Sequence, residues 1–258
     1  MTKWTAEAIL RESAGWTSAW IPADSAYAAT DEFRFSVEGS EATLRVYTGP
    51  DADADGVLAR ALAAASDLGV STLRVTIGPG LLGGVTTEHI AGLSPETVEI
   101  YDILAIELDD EPWTWMSVAH GVEVREIETS TDAALFDAAS ESVWGAAPLD
   151  GASTETANRT AEPGSFVALL DGTPVASGGF SLAGPVARLW GGGVVASARG
   201  RGVYRALVAR RLAVAAERGA TLAIVHAQPT SSPILQRSGF AKYGERRLTR
   251  LRDLQGCR

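Results

Sequence analysis

The chain has 258 residues, of which 46% are hydrophobic and 21% charged, a balance typical of a globular protein with a packed core. It shows no run of about 18 uninterrupted apolar residues and no secretory signal pattern at its start, so we expect neither a membrane span nor a membrane partner. The only cysteine, Cys257, excludes an internal disulfide and a cysteine-ligated metal site. These features predict a cytoplasmic protein.

Charge is distributed unevenly along the chain. Residues 1–118 contain 19 acidic and 6 basic side chains, whereas residues 119–258 contain 13 and 16. An acidic first half would repel phosphate, so we expect no nucleic-acid partner. The slightly basic second half can still hold a small anion.

Secondary structure in the first half is predicted from the period of its apolar residues. The order is β-β-α-β-α-β, formed by a hairpin of 33–37 with 42–47, a helix at 54–68, a strand at 72–77, a helix at 86–93 and a strand at 97–108.

The second half is predicted to follow the order β-α-β-β-β-α-β-α-β. Ser130 or Thr131 is expected to cap its first helix, Asp171-Gly172 to turn a hairpin, and Gly219 to end its second helix. The predicted segments are 122–127, 131–144, 166–170, 174–180, 186–195, 202–218, 222–226, a short helix from Ser232, and one or two strands within 240–252.

The two halves share part of this order, which suggests an internal duplication. Gly56-Val57 opens a helix in the first half much as Gly202-Val203 does in the second. The acidic, proline-containing stretch at 109–115 follows a strand and favours a boundary there. We therefore predict a mixed α/β fold of two domains, 1–115 and 116–258, each a central sheet flanked by helices.

The most informative motif lies at residues 194–207, where a strand ends, a loop with glycines at 200 and 202 follows, and a helix starts. Glycine lets backbone approach a ligand closely, and a helix start presents unpaired N–H groups with partial positive charge. This combination predicts an anion site for a pyrophosphate, with nearby arginines as donors. A tight turn with solvated arginines is the alternative, whereas Walker-type and dinucleotide loops are excluded because their remaining residues are absent.

This loop resembles that of the GNAT superfamily of acetyltransferases, which reads Arg/Gln-x-x-Gly-x-Gly/Ala. Arg199-Gly-Arg-Gly202-Val-Tyr204 matches at the arginine and the key glycine, and departs at Tyr204. The resemblance covers roughly residues 120–252, including Gly239-Phe240 near the last turn. It implies acetyl-CoA as co-substrate, no metal, and coenzyme contacts from Gly192, Gly193, Val194, Arg199, Gly200, Arg201, Gly202, Val203, Tyr204, Arg205, Ser231 and Ser232.

Three consecutive glycines, Gly191 to Gly193, lie inside a predicted strand. Such a run indicates either a bulge with close backbone approach or a flexible turn between two shorter strands. In the family, backbone groups here bind the pantetheine arm and the acetyl carbonyl. The resemblance therefore implies that Gly192 to Val194 stabilise the oxyanion formed when an amine attacks.

The general acid of the family is a tyrosine four residues before the glycine of the final Gly-Phe, and this position is Leu235 here. Tyr204, Ser231, Ser232 or water could protonate the leaving thiolate instead.

A general base has to accept a proton from the attacking ammonium. His226, at the end of a buried strand, is the first candidate, while Glu126 and Glu128 are predicted on the first strand and are more typical of surface charges. The aromatic side chains that could line an acceptor pocket, or simply pack in the core, are Trp144, Phe180 and Trp190.

These features predict an N-acetyltransferase that transfers acetyl from acetyl-CoA to a primary amine of a small molecule or peptide, directly in a ternary complex. The acidic first half would attract a cationic acceptor. Leu235 favours the alternative, a non-catalytic acyl-CoA sensor. Three aspartates within 51–56 indicate that the first half lost its coenzyme. Oligomeric state is open, with a homodimer as one alternative.

Overall fold

The computed structural model describes residues 4–16, 26–49, 53–108, 119–145, 164–252 and 254. The predicted boundary at 115/116 lies outside these residues, as does all but the first residue of the loop that a Gly/Ala/Thr-rich composition predicts at 145–163. The chain divides into two compact units, described separately below. Unit 1 consists of Met1–Ile103, Ala227–Ser232 and Lys242–Arg258, and unit 2 of Leu104–His226 and Pro233–Ala241.

The first half of the chain contains two helices and five strands in the described residues. The prediction missed the first helix and the first strand. It is confirmed to within one residue at each end for the hairpin, the helix at 54–68 and the strands at 72–77 and 97–108. The elements are α1 (Ala6–Ala14), β1 (Ala26–Ala29), β2 (Phe33–Glu38), β3 (Glu41–Tyr47), α2 (Ala54–Asp67), β4 (Thr72–Ile77) and β5 (Glu96–Glu107).

The second half confirms the predicted order, with a single final strand. Asp171 and Gly172 both have positive φ, 51° and 82°, as a two-residue hairpin turn of this type requires. The elements are β6 (Val122–Glu126), α3 (Ser130–Trp144), β7 (Ser165–Leu170), β8 (Thr173–Ala183), β9 (Val186–Val194), α4 (Val203–Glu217), β10 (Leu222–Ala227), α5 (Ser232–Arg237) and β11 (Ala241–Arg252).

Two local predictions are wrong. Residues 86–93 form turns and a single 3₁₀ turn at Ala91–Leu93 instead of a helix. A glycine at 92 and Ser94, whose φ is 47°, stand where a helix would continue, and neither favours helical backbone. The cap of α3 is Thr129, because Thr129 and Asp132 form a reciprocal capping box.

Unit 1 is a mixed sheet packed against α2. Its strand order is β1-β2-β3-β4-β11-β5, with β3 and β4 parallel and β4 and β11 antiparallel. The buried side of α2, including Val57 and Ala61, packs against Phe35, Leu73 and Leu251. Strand β11 therefore completes the core of unit 1 although it comes from the end of the chain.

Unit 2 is a mixed sheet with the strand order β10-β9-β8-β7-β6. Strands β9 and β10 are parallel, while β6 to β9 form an antiparallel meander. Helix α4 buries Val203, Leu207, Leu212 and Val214, as the spacing of its apolar residues predicts. Both units are mixed sheets flanked by helices, so the predicted fold class is confirmed. No helix in the described residues is long and apolar enough to span a membrane.

Candidate functional site

The glycine run of β9 forms a β-bulge against β8. Ser177 is the register partner of Gly193 and Gly179 that of Trp190, so Gly178 opposes two residues. Gly191 has φ 61°, a conformation that glycine adopts without strain. The extra residue bends the strand and breaks its ladder locally. The predicted bulge is confirmed, and β9 is one continuous strand rather than two.

Strand β9 also extends past its pairing with β10. The parallel register runs from Leu222–Val186 to Val225–Leu189, five residues before β9 ends at Val194. The bulge lies in this extension. Backbone N–H and C=O groups that leave a ladder need other partners, so this stretch can serve a bound ligand.

The loop after β9 leads into the start of α4 through two left-handed glycines. Gly200 has φ 76° and Gly202, the N-cap of α4, has φ 80°. Gly202 makes no side-chain cap, and the first turn of α4 contains no acidic residue. A helix start without a side-chain cap presents N–H donors, and the helix dipole favours an anion there.

The arginines at this loop are weakly engaged. Arg199 Nε donates to the Val194 carbonyl at 3.3 Å. Arg201 Nη2 lies 3.3 Å from Asp171 Oδ2, and both side chains are more than half exposed. Exposed pairs of this kind contribute little, so both guanidinium groups can turn toward a phosphate. Arg205 is exposed in the first turn of α4.

Residues 123–240 match the family model described as "Acetyltransferase (GNAT) family". These residues form a GNAT domain. The family uses acetyl-CoA as co-substrate, which indicates acyltransferase chemistry for the domain at 123–240. The bulge and the loop from 199 to 205 both lie within the matched range, and both belong to unit 2.

Solved structures with the same fold cover most of the chain. A GCN5-related N-acetyltransferase from Sphaerobacter thermophilus is 17% identical, with a TM-score of 0.64 over 86% of this chain and 76% of that one. One from Kribbella flavida is 16% identical, with a TM-score of 0.57 over 89% and 90%. A tandem GNAT protein from the clavulanic acid biosynthesis pathway is 14% identical, with a TM-score of 0.64 over 90% and 84%. At these identities the likeness shows the fold, and it extends to the first half. Comparison with curated protein sequences gives no significant match.

Two side chains of α4 lie against the bulge of the GNAT domain. A Cβ atom on Gly192 would be 3.4 Å from Tyr204 Cε2 and 3.8 Å from its Oη, so the ring faces this glycine. Arg211 is buried, and its Nη2 donates to the carbonyls of Gly179 and Trp190. The prediction missed Arg211. Its position four residues after Leu207, on the apolar face of the helix, was the signal that could have revealed it.

The remaining predicted coenzyme and catalytic residues do not all fall in unit 2. His226 is half-buried near the end of β10 in unit 2, whereas Ser231 and Ser232 belong to unit 1. There Ser232 Oγ donates to Asp102 Oδ2 at 2.5 Å. Leu235 is 1% exposed, as expected for core packing.

The other candidate side chains have mainly structural contacts. Glu126 Oε1 accepts from Gly164 N at 2.9 Å and from Arg218 Nη2 at 2.7 Å, and Glu128 is exposed beyond the end of β6. Phe180 stacks in the core, and Trp190 packs against the buried cluster around Phe136. Trp144, in contrast, is 53% exposed, and a Cβ on Gly193 would be 3.0 Å from its ring.

Unit 1 contains a polar cluster that the prediction missed. Glu99 accepts hydrogen bonds from the Tyr101 hydroxyl and from Gln228 Nε2, and Asp102 lies 2.7 Å from Lys242 Nζ. Burial, reinforced by the bond to Glu99, raises the pKa of the Tyr101 hydroxyl. Because Gln228 is 129 residues from Glu99 along the chain, no local pattern could bring these two together. In the described residues, no group of three or more potential ligands could hold a metal ion.

Proposed function

We propose that this protein is an amine N-acetyltransferase that binds acetyl-CoA at the start of α4 and along the end of β9. One arrangement supports the proposal. Within unit 2, an uncapped helix start flanked by arginines directly follows a strand whose bulge leaves the parallel register. The first feature suits a diphosphate, and the second suits an extended amide-containing arm.

The chemistry we propose is direct attack by a primary amine on the thioester in a ternary complex. The amide groups of Gly192 to Val194 would stabilise the oxyanion that develops on the carbonyl oxygen. Tyr204 is the phenol that faces Gly192, so we assign it the proton for the leaving thiolate. His226 would receive the proton of the amine. In this assignment Tyr204→Phe lowers kcat while acetyl-CoA affinity stays within about twofold, because the ring remains in place.

The first half would be a degenerate GNAT-like domain, 1–115, that binds no coenzyme. Helix α2 starts differently from α4, because Asp53 Oδ2 already accepts a hydrogen bond from Gly56 N at 3.1 Å. Asp55 adds a second negative charge in the same turn. A diphosphate would meet repulsion and an occupied N–H group there. Calorimetry should therefore give one acetyl-CoA per chain, and two per chain would refute this assignment.

The acceptor we propose is a cationic small molecule or peptide amine, attracted by the acidic first half. Acetyl-CoA as donor, together with a single cysteine, favours the cytoplasm as the compartment.

A non-catalytic acyl-CoA sensor is the second candidate, and the buried Leu235 in place of the family's tyrosine favours it. The deciding experiment is release of free CoA thiol from acetyl-CoA with a panel of polyamines, aminoglycosides and lysine peptides. Turnover with any amine supports the enzyme and eliminates the pure sensor. Tight acetyl-CoA binding without turnover across the panel would overturn the enzymatic proposal.

A further inference from the structure

Arg211 is the bulkiest fully buried side chain in the described residues, at 2% exposure. It lies eight residues after the start of α4. Its Nη2 donates to the Trp190 carbonyl at 3.0 Å and also to the Gly179 carbonyl. These two residues are register partners on β9 and β8, immediately before the bulge. One nitrogen thus bonds to both strands where their ladder becomes irregular.

The guanidinium occupies space that glycines leave open. A Cβ on Gly192 would be 3.0 Å from Arg211 Nη1, and a Cβ on Gly178 would be 3.1 Å from the same atom. These glycines are the two sides of the bulge. Side chains at either position would push the guanidinium away, so Arg211 and the bulge fit each other sterically.

Burial of this charge is costly. In the described part of the chain no carboxylate forms an ion pair with Arg211, and its Nε is buried without a hydrogen-bond partner. Burial lowers the pKa of Arg211 to about 10. An apolar side chain of similar volume would avoid the desolvation cost. What the charged side chain contributes locally is hydrogen bonds to two backbone carbonyls.

We propose that Arg211 is a positioning residue that holds the bulge in shape, so that the backbone of Gly192 to Val194 is presented to the pantetheine arm and the thioester. This inference rests on the proposed function. Arg211 would act through the strands, because its hydrogen bonds go to their backbone carbonyls. Arg211 and Tyr204 both belong to α4, whose N-terminus would bind the diphosphate. The same helix therefore also holds the bulge that would bind the pantetheine arm. One rigid element thus fixes the distance between the diphosphate site and the bulge.

The test compares a ligand that reaches the bulge with one that does not. Acetyl-CoA and 3′-phosphoadenosine 5′-diphosphate, which lacks the pantetheine arm, are titrated into the full chain and its variants. Arg211→Met should weaken acetyl-CoA binding about tenfold, the equivalent of about one charge-assisted hydrogen bond, and leave the nucleotide within about twofold. Arg211→Lys, which keeps a charged donor, should restore part of the loss.

Arg210→Met is the matched control, because Arg210 is the preceding residue of the same helix, is exposed, and faces Glu217 at 3.8 Å. It should change neither affinity. Gly178→Ala provides a second route to the same defect, since its Cβ would meet Arg211 Nη1 and lie 3.0 Å from Gly192 Cα without removing any charge. It should show the same separation between the two ligands even if Arg211→Met fails to fold.

The outcomes separate this inference from the function beneath it. Unchanged acetyl-CoA affinity in Arg211→Met, or equal weakening of both ligands in Gly178→Ala, overturns the role of Arg211 and leaves the coenzyme site intact. A wild-type chain that binds neither ligand refutes the proposed function instead.

Discussion

Arg199 and Arg201 provide the most direct test of where the coenzyme binds. Replacing both with alanine removes two exposed donors beside the start of α4. Because solvent screens them, each phosphate contact should contribute about 1 kcal/mol, below the range for buried charged hydrogen bonds. Arg201 also has to leave Asp171, at 3.3 Å, which costs a few tenths of a kcal/mol. The double variant should therefore lose about 1.5 kcal/mol, roughly a tenfold rise in Kd.

Calorimetry with acetyl-CoA at low and high salt measures this loss and its electrostatic origin. Salt screens exposed charges, so wild-type affinity should fall more steeply with salt than that of the double variant. Arg210→Ala on the same helix serves as the control and should bind like the wild type. Retention of full affinity by the double variant, within about twofold, would show that the diphosphate binds elsewhere.

Three further predictions concern the loop and its supports. Gly202→Ala should lower the free energy of unfolding, measured in urea, by about 1–2 kcal/mol or more. Its φ is 80°, and the new Cβ would lie 2.8 Å from that of Ala119. Asp171→Asn keeps a residue type that tolerates positive φ and releases Arg201, so acetyl-CoA should bind about two- to threefold more tightly by calorimetry. Asp132→Asn should destabilise the protein in urea titrations at pH 7, and this difference should disappear at a pH below the lowered pKa of the Asp132 carboxyl. The threonine hydroxyl of the capping box lowers the pKa of the Asp132 carboxyl below 3.8, so its stabilisation is present above that pH and is lost as the pH falls through the lowered value.

Local patterns predicted most of the fold, and the exceptions have physical reasons. Strands such as Thr72–Ile77 alternate apolar and polar residues, which a sheet with one buried face requires. Helix α1 spans nine residues, fewer than the window of about 11–18 residues over which a helical period is recognised. Residues 86–93 show an apolar spacing, but a glycine at 92 and the positive φ of Ser94 favour turns.

The coenzyme loop was predictable because glycine, arginine and a helix start are local signals. The bulge was predictable for the same reason, from three consecutive glycines. The role of Arg211 was not, since its partners are backbone carbonyls of two other strands, which no side-chain pattern identifies. The polar cluster at Glu99 likewise depends on tertiary pairing.

Strand β11 has a consequence for how the chain is made. It pairs with β4 over six register positions, from Arg247–Ile77 to Arg252–Thr72. Strand β4 is synthesised about 170 residues before β11. The sheet of unit 1 therefore cannot be completed while the intervening residues are being translated. Until then the edge of β4 that pairs with β11 stays unpaired, and an unpaired strand edge promotes aggregation. A premature stop codon near position 241 would therefore disable the part of the protein that was synthesised first.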